Sequence, residues 1–127
     1  MSLNQEKSLS AGLAIVRRRF AATLPQRAIV LARLQRQLDG GVEQINIEES
    51  RIVLHQISGT AATLGFADLG DCARDCEESI ERYREGQPLQ RAALQSGLKS
   101  VLEQIDAACL ALEDLQNSGL GNGAGVS

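Results

Sequence analysis

The stretch from Arg51 to Phe66 reads RIVLHQISGTAATLGF and contains His55, the only histidine in the 127-residue chain. An α-helix turns about 100° per residue, so the positions two before and two, six and nine after His55 fall roughly 160–240° away from it. All four are apolar: Val53, Ile57, Ala61 and Leu64. The stretch therefore predicts an amphipathic helix that buries this stripe, with Leu54 at its edge, and turns His55 to solvent.

The predicted exposed face of this helix combines the histidine with small and apolar side chains. It holds Arg51, Ile52, Ser58, Gly59, Ala62 and Phe66. Ile52 and Phe66 are apolar where water is expected, which is typical of a docking surface. Gly59 costs about 1 kcal/mol relative to Ala in mid-helix, and its missing side chain makes room beside the imidazole. The alternatives are an ordinary surface histidine and a glycine that serves tight helix packing.

A longer helical run precedes this stretch, from Gly12 to Leu38. Its apolar positions recur in steps of three and four: Leu13, Val16, Phe20, Leu24, Ile29 or Ala28, Leu31, Leu34 and Leu38. Pro25 interrupts the run, because proline removes a helical hydrogen bond and crowds the preceding turn. The pattern favours one continuous, kinked helix over a second helix capped by Thr23. The Asp39-Gly40-Gly41 sequence predicts its end.

Two more helical runs follow the histidine stretch. The first, Asp68 to Arg84, has its apolar stripe at Leu69, Cys72, Cys76, Ile80 and Tyr83. A Gly-Gln-Pro sequence then predicts a break, after which Pro88 suits the first turn of the last helix. The stripe of that helix is Leu89, Ala93, Leu94, Leu98, Val101, Leu102, Ile105, Ala108, Cys109 and Leu112. The closing segment NSGLGNGAGVS is rich in Gly, which is typical of a disordered tail.

Four amphipathic helices joined by short turns predict an all-α fold, an antiparallel up-and-down four-helix bundle with a short N-terminal helical extension. We expect residues 12–117 to form this single domain, residues 1–11 a flexible or short helical N-terminus, and residues 118–127 a disordered tail. The core should be aliphatic, because the chain has two Phe, one Tyr and no Trp.

Charge and composition argue against several classes of function. Thirteen basic and sixteen acidic residues give a net charge of −3, which speaks against bulk nucleic-acid binding. No apolar run approaches the roughly 18 residues that span a bilayer, and the first residues do not resemble a secretory signal. Three cysteines fit free thiols in a reducing cytoplasm. Arg17-Arg18-Arg19 is either a solvated face or a patch that steers an acidic partner.

The segment His55-Gln56-Ile57-Ser58-Gly59, with the residues that follow it, resembles the histidine-containing phosphotransfer (HPt) domain of two-component phosphorelays. The matching positions after this segment are Ala61, Leu64, Gly65, Leu69, Cys72, Cys76 and Glu77. The earlier run from Phe20 to Arg27, with its internal proline, resembles the helix that precedes the motif in that family. The resemblance covers about residues 13–115.

This resemblance implies that His55 is the phosphoacceptor and that phosphate passes to and from aspartates of receiver domains. It implies response-regulator receivers or a hybrid histidine kinase as partners, and a phosphohistidine carrier without a kinase domain. The chain would need no cofactor or metal, because the receiver brings its own Mg²⁺ ion and lysine. We expect no nucleic-acid or membrane partner. A monomer is favoured and a dimer through the helices is left open.

The alternative function is a non-catalytic helical adaptor, a degenerate HPt domain that docks a partner through Ile52, Ala62 and Phe66. Cys72 and Cys76 raise a further alternative, because cysteines four residues apart on a helix can bind metal. They would need more ligands nearby, and both fit the buried stripe of their helix. We therefore interpret them as packing residues and expect no metal site.

One position departs from the family pattern. HPt domains usually have Lys three residues after the histidine, where its ammonium meets the phosphate, and this chain has Ser58. We expect Ser58 and Gly59 to shape the phosphate site, and Arg51, one turn before His55, to supply the missing positive charge. Glu77 occupies the position where some members have Gln. A carboxylate there would favour a charged imidazole and repel a phosphate.

Overall fold

Four α-helices follow one another along the chain in the computed structural model, which describes residues 3–41 and 45–124 and places side chains within 9–41 and 45–113. They are α1 (Leu3–Asp39), α2 (Glu48–Ala61), α3 (Ala67–Arg84) and α4 (Arg91–Ala124). Each helix packs against the next in sequence, and α4 packs back along α1. The described ranges contain no strand. The predicted all-α four-helix bundle is confirmed.

The core is aliphatic, as the composition predicts. Its largest fully buried side chains are Leu24, Leu31, Leu34, Leu38, Leu54, Ile57, Leu69, Ile80, Leu94, Leu98, Ile105 and Val101. The stripe opposite His55 is likewise buried in α2, at Val53, Ile57, Ala61 and, in the turn that follows, Leu64. Because all four helices contribute to one core, the solvent-facing side of α2 is fixed by the packing of its other side.

Helix α1 continues without a break through Pro25, as the favoured interpretation predicts. Thr23 does not cap a new helix. Its hydroxyl donates to the carbonyl of Phe20, 2.6 Å away, within the same helix. That hydroxyl bond adds a local contact in the turn just before Pro25, where proline takes an N–H out of the helical ladder.

The apolar stripe of α1 is buried over only part of its length. Leu13 and Val16, expected in the core, are 49% and 47% exposed. Arg17 lies beside Gly65 in the turn between α2 and α3, so the residues before it extend past the end of those two helices and have less to pack against. Of the two candidates at the next position, Ile29 is exposed and Ala28 packs against the core.

Glycines with a positive φ lie where α2 and α3 give way to turns. Gly65 has φ +90° and Gly86 has φ +94°, a left-handed conformation that a side chain disfavours. The turn at Gly65 is closed by the amide of Phe66, which donates to the carbonyl of Ala61 at 2.8 Å. That turn reverses the chain and lays α3 antiparallel along α2.

The start of α4 differs from the expectation that Pro88 lies in its first turn. The helix begins at Arg91, and the first carbonyl of its ladder is that of Gln90, which accepts from Leu94 at 3.0 Å. Arg91 also donates to the carbonyl of Leu38 at the end of α1, 3.2 Å away. This anchor favours a helix start three residues after the proline.

The end of α4 also differs from expectation, because the helix is described as far as Ala124. We expected residues 118–127 to be irregular. Extending an existing helix costs far less than starting one, which offsets the poor helical propensity of the glycines. Residues 125–127 lie outside the described part of the chain, as do residues 42–44 of the linker after Gly41.

The cysteines behave as packing residues in this bundle. Cys76 is 2% exposed in the core, and Cys72 and Cys109 pack against that core while partly exposed. Within the described residues, no group of three or more His, Cys, Asp or Glu could hold a metal ion. Over the same residues, no helix combines the length and apolar character needed to cross a membrane.

Candidate functional site

The antiparallel pairing of α2 and α3 decides which residues meet His55. Contacts across the pair join Ala62 to Gly70, Ser58 to Glu77, His55 to Glu77, Arg51 to Glu81 and Glu48 to Arg84. As the α2 number falls, the α3 number rises, so a given α2 residue lies level with one α3 position. This register brings the carboxylate of Glu77 to the imidazole.

His55 contacts Glu77 through one ring nitrogen and leaves the rest of the ring in solvent. Its Nδ1 lies 2.6 Å from Oε2 of Glu77. The His55 side chain is 72% exposed, whereas that of Glu77 is 18% exposed. An ionised carboxylate can only accept a hydrogen bond, so Nδ1 carries the proton. A neutral ring then has its lone pair on Nε2.

Ser58 contacts the other oxygen of the same carboxylate. Its hydroxyl lies 3.1 Å from Oε1 of Glu77 and 3.1 Å from the carbonyl of His55, and it has one proton to donate to either. Ser58 is only 9% exposed. We expected it on the open face beside the histidine, and the structure instead buries it against Glu77. Ser58 therefore contacts the same carboxylate that contacts the imidazole.

Arg51 lies on α2 one turn before the histidine, but its guanidinium is engaged elsewhere. Its Nε donates to Oε1 of Glu48 at 3.0 Å, and its Nη1 lies 3.9 Å from Glu81. The hydrogen bond that Arg51 donates to Glu48 raises the pKa of Arg51, and the same bond lowers the pKa of the Glu48 carboxyl. The Arg51 guanidinium is therefore engaged with two carboxylates, those of Glu48 and Glu81.

Gly59 borders open space beside the histidine. A Cβ added to Gly59 would have no heavy atom within 4 Å. Gly70 is the opposite case, because a Cβ there would lie 3.2 Å from the backbone nitrogen of Ala62. Tight packing of α2 on α3 therefore depends on Gly70. The alternative that Gly59 serves helix packing is excluded by this geometry.

The apolar side chains expected on the exposed face beside His55 do not all lie together in the structure. Ile52 is 45% exposed and Ala62 is also exposed. Phe66 is partly buried, with its ring stacked on that of Phe20 at 5.8 Å and the Arg17 guanidinium 5.1 Å above it. Phe66 does not lie on the exposed face of α2, because α2 ends at Ala61 and helical angles do not extend to residue 66. Its docking role stays a prediction.

A groove of about 600 Å³ opens between α2 and α3 with His55 at its edge. Its α2 wall is His55, Ser58 and Gly59, and its α3 wall is Arg74, Glu77, Glu78, Glu81, Arg82 and Glu85. Four carboxylates against two guanidiniums make this groove acidic. Apart from Glu77, these charged residues of α3 carry no site prediction from the sequence. The signal that could have found them is their spacing of three and four residues around Glu77.

The chain matches a known protein family. The family model described as the Hpt domain matches residues 16–108, which cover His55, Glu77 and every helix of the bundle in whole or part. Neither the curated proteins nor the solved structures give a significant match to the chain.

Proposed function

Because the chain belongs to the Hpt domain family, whose members take part in phosphotransfer in two-component signalling, we propose that Nε2 of His55 carries a phosphoryl group between receiver aspartates. The observation that carries this proposal is the 2.6 Å contact between Nδ1 of His55 and Glu77 on an otherwise exposed ring. It fixes one tautomer and directs the nucleophilic nitrogen toward a partner.

The proposed transfer needs only this oriented nucleophile from the chain. The lone pair of Nε2 attacks the phosphorus of an aspartyl phosphate, the N–P bond forms, and the P–O bond to the aspartate breaks with its electron pair on the departing carboxylate. Nδ1 keeps its proton, so the ring becomes cationic, and the carboxylate of Glu77 offsets that charge. The return of the phosphoryl group to a receiver reverses these changes.

Phosphoryl transfer depends mainly on in-line positioning and on neutralising the charge of the transferred group. We propose that the receiver supplies a Mg²⁺ ion and a lysine for this purpose, and that the chain is a phosphohistidine carrier without kinase activity. A hybrid histidine kinase or a response regulator would be the partner. The three free thiols fit a cytoplasmic setting for this exchange.

Ile52 is the exposed apolar side chain closest in sequence to His55, at 45% exposure. A receiver that places its aspartate at Nε2 would also cover this part of α2. We therefore propose Ile52 and Ala62 as docking contacts for the receiver. Phe66 is left out, because its ring is engaged with Phe20 and Arg17.

The test is to mix the purified protein with a radiolabelled, phosphorylated receiver and to follow label on the chain. We expect a label that is lost in acid and kept in alkali, as for a phosphohistidine, and no label on His55→Gln. Label that persists on His55→Gln would overturn the assignment. A wild-type chain that never labels, with several receivers tried, would favour the non-catalytic adaptor.

A further inference from the structure

We propose that Arg74 of α3 binds the phosphoryl group carried by His55 and supplies the positive charge that neither Ser58 nor Arg51 can provide. This inference rests on the proposed function. It concerns which residue of this chain meets the phosphate, and it names a residue on a different helix from the one that carries the histidine.

The pairing of α2 with α3 places Arg74 level with Gly59. Ala62 meets Gly70 at one end of the pair and Ser58 meets Glu77 further along, so Gly59 falls opposite residues 73 and 74. Ala73 is fully buried, which leaves Arg74 as the residue on the solvent side at this level. Both Gly59 and Arg74 line the groove that has His55 at its edge.

Gly59 leaves a clear path between the guanidinium and the histidine. No heavy atom lies within 4 Å of the Cβ that another residue would have there. Since Gly59 follows His55 by about one turn, the two lie on the same side of α2. A long side chain from α3 can therefore cross over Gly59 toward Nε2. Any larger residue at position 59 would stand in this path.

Arg74 is only weakly held in its present position. Its Nη1 lies 3.9 Å from Asp71, and its side chain is 55% exposed, so turning toward a phosphate would give up only a long, solvated ion pair. Arg51 would have to leave a 3.0 Å hydrogen bond to Glu48. Arg82 lies two turns further along α3, beyond Glu78 and away from Gly59.

The chemistry of the groove calls for such a cation. A phosphoryl group on Nε2 would stand beside the carboxylates of Glu77 and Glu78, which line the same groove and repel it. A guanidinium presents a planar fork of N–H donors that matches two phosphate oxygens at once. Arg74 can therefore bind two oxygens of the phosphoryl group and reduce the repulsion from the carboxylates.

The test uses phosphoramidate, a small donor that transfers a phosphoryl group to histidine and releases ammonia, so that no receiver is needed. The rate of phosphohistidine formation is measured by ³¹P NMR for wild type, Arg74→Ala, Arg74→Gln and Arg74→Lys. We expect the Ala and Gln variants to label about tenfold more slowly, and the Lys variant to recover part of the loss. The defect should shrink in high salt, because salt screens an exposed charge.

Arg82→Ala is the matched control. Arg82 lies in the same groove and on the same helix, is 58% exposed and has a carboxylate 3.9 Å away, so the two variants remove the same charge from the same groove. We expect Arg82→Ala to label within about twofold of wild type. Equal rates for Arg74→Ala, Arg82→Ala and wild type would overturn the role of Arg74. Absence of label on wild type, or label on His55→Gln, would instead overturn the proposed function.

Discussion

Two neighbouring residues of α3, Cys76 and Glu77, belong to regions of opposite character. Cys76 faces α4, where a Cβ on Gly97 would lie only 2.7 Å from its sulfur. Glu77 faces α2, where it contacts His55 and Ser58. One helix therefore uses one side for close packing and the adjacent side for a polar site. The difference shows that the site needs a rigid α3, which the α4 side supplies.

Burial has opposite consequences on the two sides. On the α4 side it raises the pKa of the Cys76 thiol to about 12 and keeps it uncharged. On the α2 side Glu77 is shielded but not isolated, because both of its oxygens have polar partners. A polar group is retained at the edge of the core when it is hydrogen-bonded, and a neutral one fills the interior.

The largest effect should come from removing the carboxylate on the α2 side. Glu77→Ala takes away the acceptor that fixes the His55 tautomer, and a hydrogen bond to a charged group contributes on the order of 10–100-fold in rate. Glu77→Gln keeps an acceptor without the charge and should lose less. The rates are measured by mixing each variant with a phosphorylated receiver, quenching samples at successive times and counting the label on the chain.

Glu78→Ala is the matched control for that prediction. Glu78 is the next residue along α3 and lines the same groove, but it is exposed and has no contact with His55 among those described. Its removal should leave transfer close to wild type or slightly faster, because one carboxylate that repels the phosphoryl group is gone. If Glu77→Ala and Glu78→Ala both transfer more slowly than wild type and at the same rate, the acidity of the groove matters and the Nδ1 contact does not.

The next effect tests packing on the α4 side. Gly97→Ala places a Cβ against the sulfur of Cys76, and overpacking of a buried contact costs about 1–3 kcal/mol. Chemical denaturation should show this loss, and the double variant Gly97→Ala with Cys76→Ala should recover most of it. Ala favours a helix over Gly by up to about 1 kcal/mol, so a Gly97→Ala protein more stable than wild type by that amount would mean that α3 and α4 are not closely packed here.

Gly59→Ala is the opposite case on the α2 side, since nothing lies near its added Cβ. It should stabilise the protein by up to about 1 kcal/mol, because Ala favours a helix more than Gly does. It should also slow phosphoryl transfer by narrowing the space beside His55. A destabilised Gly59→Ala would contradict the open geometry of the groove.

The last prediction concerns alkaline pH. The Cys76 thiol has a pKa near 9.0 when unfolded and about 12 in the folded core, so the unfolded chain loses its proton first as pH rises. The stabilising contribution is complete below pH 9 and is lost between pH 9 and 12, at roughly 1.4 kcal/mol per unit. Between pH 8 and 10.5, the midpoint temperature of thermal unfolding should fall more steeply with pH for wild type than for Cys76→Ala. If the midpoint temperature falls equally with pH in both proteins, the Cys76 thiol is exposed to water in the folded state.

The sequence predicts features that depend on one helix and misses those that depend on the meeting of two. The outward side chain of His55 follows from the apolar stripe of α2 alone. The contact of Ser58 depends on Glu77, nineteen residues away on another helix, and the angular positions of residues around one helix contain no such information. The expectation that Arg51 meets the phosphate also used positions on α2 alone. It did not include the carboxylates of Glu48 and Glu81, which contact the Arg51 guanidinium.

Ends of helices were the other source of error. The stripe of α1 continues through Leu13 and Val16, but burial stops where the turn between α2 and α3 lies, and periodicity does not locate that turn. Phe66 was projected as if α2 extended to it. The resemblance to the HPt family is confirmed by the match over residues 16–108, because it rests on the spacing of His55, Gly59 and the apolar positions, which these errors leave unchanged.

The central claim is that Glu77 holds the proton on Nδ1 and so makes Nε2 the nitrogen that carries phosphate. Phosphorylated protein labelled with ¹⁵N in its single histidine tests this directly, because coupling between ³¹P and ¹⁵N identifies the bonded nitrogen. We predict that the phosphoryl group is bonded to Nε2 of His55. A phosphoryl group bonded to Nδ1, or to any residue other than His55, would contradict the account.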